Sequence, residues 1–173
     1  MKKEIIIKIC TTGSFSVGKT SLIRRYAQNT FSSNYLPTLG MDVTVKRLTV
    51  DDQQVRLLLV DTAGQEQFGK MRKIYYEGSS CCIAVYDITR PDTLETLPDF
   101  IKDYKEVAGD QARIVILGNK IDLEELRKIP TKEGKKIANQ LNYPFYECSA
   151  KDGGDVIPAI YENLAHQFLK SLV

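Results

Sequence analysis

The chain has 173 residues, with 24 lysines and arginines against 22 acidic residues and a formal charge of +2. That length makes one domain, residues 1–173, with one core, and the near balance of charge excludes a mainly electrostatic nucleic-acid binder. The apolar run after Met1-Lys2-Lys3-Glu4 is far shorter than a signal-peptide core or the roughly 20 residues of a membrane span. Cys10, Cys81, Cys82 and Cys148 show no CxxC spacing and read as buried free thiols in a reducing compartment, which makes the expected location cytoplasmic.

Along the chain, short runs rich in Val, Ile and Leu alternate with segments of helical period. Residues 5–10 form the first run, followed by a helix near 19–28. Residues 43–50 partly alternate apolar and polar and turn at Asp51-Asp52 into the run 55–60, which predicts an antiparallel edge strand in a hairpin. A helix near 67–77, the run 81–86, a helix near 93–107, the run 113–117, a helix near 131–141 and the run 144–148 come next. The last helix carries Pro158, tolerable only in a first turn, so it starts near Asp155 and ends near Leu169. Strands apolar on both faces imply an α/β fold: a six-stranded, mostly parallel sheet with one antiparallel edge strand and about five helices on its two faces. No internal repeat, linker or low-complexity tract interrupts it.

Chemistry begins where the first run ends, because Gly13-Ser14-Phe15-Ser16-Val17-Gly18-Lys19-Thr20 matches G-x-x-x-x-G-K-[ST] between a strand and a helix. Gly13 and Gly18 let the backbone wrap an anion. Successive N–H groups, with Ser21 at the helix start, supply partial positive charge. Lys19 reaches the outer phosphates, and the Thr20 hydroxyl is placed to ligate magnesium. The run 55–60 then delivers Asp61-Thr62-Ala63-Gly64-Gln65. Asp61 is suited to hold magnesium through water, and the Gly64 N–H to meet a terminal phosphate that a diphosphate lacks, the contact that makes a switch.

The base is set by Asn119-Lys120-Ile121-Asp122 after the run 113–117. One carboxylate at Asp122 accepts both the ring N–H and the exocyclic amine of guanine, whereas adenine presents a lone pair there. Such strings also occur in ordinary loops; position at a strand's carboxyl end favours the ligand reading. Ser149-Ala150-Lys151, after 144–148, has the same placement and lines the other side of the base. Four motifs thus fall at the carboxyl ends of four runs, the edge of an open parallel sheet where ligands bind.

With GSFSVGKT, YLPTLGMD, DTAGQE, NKID and CSAK in this order, the chain resembles the Ras superfamily of small GTPases over essentially its whole length, and the three-layer P-loop NTPase fold is implied. DTAGQEQFGKMRKIYYEGSS and VYDITRPDT look most like the Rab branch. LGMDV departs from the usual Rab first switch, and Val60 stands where Rabs usually carry tryptophan. The likeness implies GTP/GDP and Mg2+ as ligands. It also implies that Thr38 binds magnesium and senses the terminal phosphate, Tyr35 covers the phosphates, Phe31 packs on the guanine, and Gln65 positions the attacking water, with Lys19 stabilising charge. No arginine lies in an obvious phosphate-facing motif, so slow intrinsic hydrolysis is expected, with a partner's arginine worth roughly 10³ to 10⁵ in rate.

Phe15 stands where the superfamily usually has a small residue and Ser16 where glycine is common. Either the Phe15 ring faces the terminal phosphate and impairs hydrolysis without loss of binding, or it turns outward and does nothing catalytic. Effectors, exchange factors and GTPase-activating proteins are implied near residues 31–43 and 64–78, with Leu36, Leu39, Met41, Phe68, Met71 and Ile74 as candidate contacts, although Met71 and Ile74 at helical spacing read more readily as core. His166 lies far from every motif and reads as structural. A monomer is expected. Rab-type proteins end in prenylated cysteines, but no cysteine follows Cys148 and there is no myristoylation start. Either further chain follows the last helix in the full protein, or there is no lipid anchor and membrane association comes through a partner.

Overall fold

The computed structural model describes residues 4–33 and 41–173. Its strands are β1 (Ile5–Thr12), β2 (Met41–Val50), β3 (Gln53–Thr62), β4 (Cys81–Asp87), β5 (Arg113–Asn119) and β6 (Phe145–Glu147). Its helices are α1 (Lys19–Gln28), α2 (Gly69–Tyr76), α3 (Pro91–Glu95), α4 (Leu97–Ala108), α5 (Thr131–Leu141) and α6 (Val156–Lys170), with short 3-10 turns at Glu66–Phe68 and Ile121–Leu126. The strand order is β2-β3-β1-β4-β5-β6, parallel throughout except for β2 against β3.

The reason the strands read as continuous apolar runs is visible in how alternate residues divide. Ile7, Ile9, Leu57, Leu59, Ile83, Val85 and Leu117 join one core with α1 and α6. Cys10, Val60, Cys82, Ala84, Tyr86 and Ile116 join a second with residues of α2 to α5. Each fully buried Val, Leu or Ile among them contributes about 1.5–3 kcal/mol, so packing on the two faces, more than intrinsic propensity, holds the helices. Stacked rings of Tyr26 and Tyr161, 4.1 Å apart, lock α1 to α6. On the other face Tyr76 of α2 meets Tyr104 of α4 edge-on at 5.2 Å. All four cysteines are buried free thiols, and burial pushes Cys10 up to about 11 and Cys81 and Cys148 to about 12.

The expected hairpin is present. Asp51 and Asp52 both adopt left-handed backbone, φ 48° and 60°, the two-residue turn whose twist matches paired strands and which Asp tolerates. His166 ends against it, Nδ1 lying 2.5 Å from Asp51 Oδ2. Pro158 falls in the first turn of α6, after Asp155.

The helix expected over 93–107 differs: it is two helices meeting at Thr96. Pro98 has no N–H to offer the Leu94 carbonyl, so the ladder is interrupted there, while the Thr96 N–H closes the first helix on Asp92 O and also faces Leu94 O. The described residues therefore carry six α-helices rather than about five. No helix among them is long and apolar enough to cross a membrane.

Candidate functional site

Because β1, β3, β4, β5 and β6 run in one direction, their carboxyl ends share an edge, and the loops leaving that edge enclose a cavity of about 370 Å³. Of the expected site residues, Phe15, Ser16, Gly18, Lys19, Thr20, Ser21, Phe31, Gly64, Asn119, Lys120, Asp122, Ala150 and Lys151 line it. Gly13, Ser14, Val17 and Ser149 belong to the same loops, off its wall. Arg24, Ser32, Ser33, Thr62 and Leu123 complete the wall, none of them foreseen as site residues.

The glycines of the phosphate motif are dictated by close approach. Gly13 has φ 138°, and a Cβ there would lie 2.2 Å from the Val85 carbonyl oxygen; Gly18 has φ 100°, and its Cβ would lie 2.3 Å from Asn119 Nδ2. The carbonyls between them are all engaged. Lys19 Nζ donates to Gly13 O at 3.0 Å and Ser14 O at 2.7 Å. Phe15 O accepts from Arg90 Nη1 at 2.8 Å, Ser16 O from Lys120 Nζ at 2.8 Å, and Val17 O from Asn119 Nδ2 at 2.9 Å. In a planar trans peptide the next N–H points opposite to the carbonyl, so these anchors turn the Ser16, Val17 and Gly18 N–H groups away from the side chains that hold them. Lys19 is 6% exposed, and burial brings it down to about 8, opposed by Asp61 and reinforced by Arg72 and Arg90.

Thr20 Oγ1 donates a short hydrogen bond to Asp61 Oδ2, and both residues face an adjoining hollow with Asp42 and Thr44. A hydroxyl and a nearly buried carboxylate form a hard oxygen set, and that donor chemistry fits Mg2+. Gly64 packs on the phosphate loop so closely that a Cβ would lie 2.5 Å from Lys19 Nζ and 2.6 Å from Phe15 N. Gln65 is not on the cavity wall; its side-chain carbonyl accepts from Gln67 Nε2 at 2.8 Å. Arg72 pins the same segment through Ala63 O at 3.1 Å and Gln65 O at 2.6 Å.

At the other end, Asp122 Oδ1 accepts the Ser149 hydroxyl at 2.7 Å, and Ser149 Oγ accepts the Asp152 N–H at 2.9 Å. Asn119, 1% exposed, accepts the Ala150 N–H at 3.1 Å. Lys120 adopts φ 74° and pairs with the buried Asp87 at 2.7 Å. Arg25 of α1 donates to the carbonyls of Ala150, at 2.8 Å, and Lys151. Sequence reasoning missed Asp87, Arg90 and Arg25. Asp87 carried a signal, an acid ending the run 81–86; the two arginines carried none, since they act on backbone carbonyls distant in sequence.

Tyr35 and Thr38, with Leu36 and Leu39, lie outside the described residues. Phe31, Met41, Met71 and Ile74 are exposed, Ile74 by 62%, so Met71 and Ile74 are surface residues and not core. Val43 and Val45 extend this apolar surface along β2, and Phe68 is half-buried.

Comparison with known proteins places this geometry in context. The sequence model of the Ras family matches residues 8–170. The chain is similar to Ras-related protein RabC of Dictyostelium discoideum, 39% identical over 158 residues, covering 90% of this chain and 81% of that one. It is also similar to Ras-related protein Rab-3B of Rattus norvegicus, 38% identical over 149 residues, covering 86% and 68%, and to Ras-related protein Rab-3C of Bos taurus, 36% identical over 153 residues, covering 88% and 67%.

Proposed function

The chain belongs to the Ras family of small GTP-binding proteins and is Rab-like within it, and from that premise we propose a Mg2+-dependent GTP/GDP switch, residues 1–173 acting as one monomeric domain, that hydrolyses GTP slowly. The observation that carries this reading is the convergence of the phosphate motif, Gly64, the Asn119-Lys120-Ile121-Asp122 string and Ala150-Lys151 on one cavity. Asp122 reads the guanine edge, with Ser149 holding its carboxylate. Asn119 keeps the base loop and the phosphate loop in register. The loop amides and Lys19 stabilise charge on the phosphate oxygens. Magnesium, held by Thr20 and Asp61 and by Thr38 as the family likeness implies, supplies further neutralisation of phosphate charge. Gly64 senses the terminal phosphate, and residues near 31–43 and 64–78 report the state to effectors, exchange factors and activating proteins. The protein acts in the cytoplasm, with peripheral membrane association through a partner or a lipidated segment.

A second reading, a GTP-binding module with little or no turnover, is favoured by two observations. Phe15 lines the cavity, and the Gln65 side chain is engaged by Gln67 off its wall. Single-turnover hydrolysis separates the two: conversion of bound GTP to GDP that depends on Gln65 and Mg2+ supports the switch, and retention of intact GTP supports the module.

A further inference from the structure

We propose that Arg90 is a positioning residue for the phosphate loop, holding the Phe15–Ser16 peptide in the orientation that turns the Ser16 N–H toward bound phosphate. The inference rests on the guanine-nucleotide reading above and adds a residue that lies outside the phosphate motif.

Ser16 is the strained point of the loop. Its φ of 65° is left-handed backbone, which disfavours a residue with a Cβ and suits glycine. The loop therefore needs an outside hold, and both peptide planes flanking Ser16 have one. Arg90 Nη1 donates to the carbonyl before it at 2.8 Å, and Lys120 Nζ donates to the carbonyl after it at 2.8 Å. Fixing the Phe15 carbonyl fixes the Ser16 N–H on the opposite side of the same planar amide, and consecutive N–H groups so aligned form an anion nest.

Arg90 is itself held by its surroundings. Its Nη2 meets Asp92 Oδ2 at 3.1 Å, its N–H donates to Asp87 O at 3.0 Å, and its carbonyl accepts the Thr93 hydroxyl at 2.7 Å. It precedes Pro91, which opens α3 with its φ fixed by the ring. The same segment reaches the loop at two more places. Thr96 Oγ1 lies 2.8 Å from Ser14 Oγ, and Asp87 holds the Lys120 that anchors Ser16. Residues 87–96 are thus a brace behind Ser14, Phe15 and Ser16. The Arg90 side chain is 36% exposed, so its removal leaves no core cavity and the fold survives.

The test compares Arg90→Ala and Arg90→Lys, in the native chain and with Ser16→Gly, folding being verified by circular dichroism. The readouts are release of a fluorescent GDP analogue and the affinities for GDP and GMP. Arg90→Ala is expected to speed GDP release and weaken GDP about tenfold, while GMP, with no outer phosphate to lose, changes by less than about twofold. Arg90→Lys restores most of the loss. With glycine at 16 the loop holds itself and the Arg90→Ala effect shrinks. Unchanged GDP release in Arg90→Ala, or equal losses for GDP and GMP, overturns the inference. If the native chain binds no guanine nucleotide, the functional reading falls and this inference with it.

Discussion

Asn119 donates its side-chain amide to the carbonyl of Val17, 102 residues earlier in the chain, at 2.9 Å. The carbonyl of the same amide accepts the Ala150 N–H at 3.1 Å. One buried side chain therefore sets the spacing between the loop assigned to phosphate and the loops assigned to the base.

Asn119→Ala leaves the Val17 carbonyl and the Ala150 N–H buried without this partner, at about 1–3 kcal/mol each. Both bonds exist without nucleotide, so that cost falls on the fold, and the loosened spacing of the two loops is expected to weaken nucleotide binding about tenfold or more. Displacement of a fluorescent GDP from the variant is expected to show that loss, together with a lower melting temperature. An unchanged affinity would mean that the two ends of the site are not coupled through this residue.

Lys19 gives the site a pH signature. Burial brings it to about 8, against an ordinary value of 10.5. Between these values the unfolded chain binds more protons than the native one, so the stability of the nucleotide-free protein rises with pH across that window. Phosphate oxygens favour the charged form, so binding takes up a proton there and affinity weakens as pH climbs past about 8. Calorimetry near pH 9 in buffers of different ionisation enthalpy is expected to find uptake approaching one proton, and almost none near pH 6. Absence of uptake near pH 9 would contradict the assignment of Lys19 to the phosphates.

Gly64→Ala places a methyl group 2.5 Å from Lys19 Nζ, which would have to move, and 2.6 Å from Phe15 N, a backbone contact that cannot be absorbed without a shift. The variant is expected to keep GDP to within about threefold while binding GTP more weakly and losing at least about 90% of hydrolysis, because only the terminal phosphate needs the Gly64 approach. Parallel titration with GDP and a non-hydrolysable GTP analogue reads this out. Affinity for the GTP analogue as tight as in the native chain would remove Gly64 from the switch.

Phe15→Gly tests the aromatic at the cavity wall. If the benzyl group crowds the attacking water, single-turnover hydrolysis rises about tenfold, equivalent to about 1.4 kcal/mol of barrier, with GDP affinity little changed. Equal rates would assign Phe15 no part in turnover.

Much of this organisation was legible in the sequence for a simple physical reason. A strand between two helical layers must be apolar on both faces, so the runs at 5–10, 55–60, 81–86 and 113–117 declared a parallel sheet, and the motifs at their ends declared its ligand edge. The break at Thr96 was missed because the helical period expected over 93–107 runs through Pro98, whose missing N–H interrupts the ladder. Asp87, Arg90 and Arg25 were missed because their partners are a side chain and backbone carbonyls far off in sequence. The exposure of Met71 and Ile74 depended on tertiary packing, since helical spacing alone does not say whether a neighbour covers the face.

The central claim is that the cavity at the carboxyl edge of the sheet holds a guanine nucleotide. The most direct test is to denature the purified protein and resolve chromatographically the nucleotide it releases, following the native sample over time for conversion of GTP to GDP. The account predicts GDP, or GTP passing slowly to GDP, at about one equivalent per chain, with loss of that occupancy in Asp122→Ala. Release of an adenine nucleotide, or of none from protein that also fails to bind added GDP and Mg2+, would contradict it.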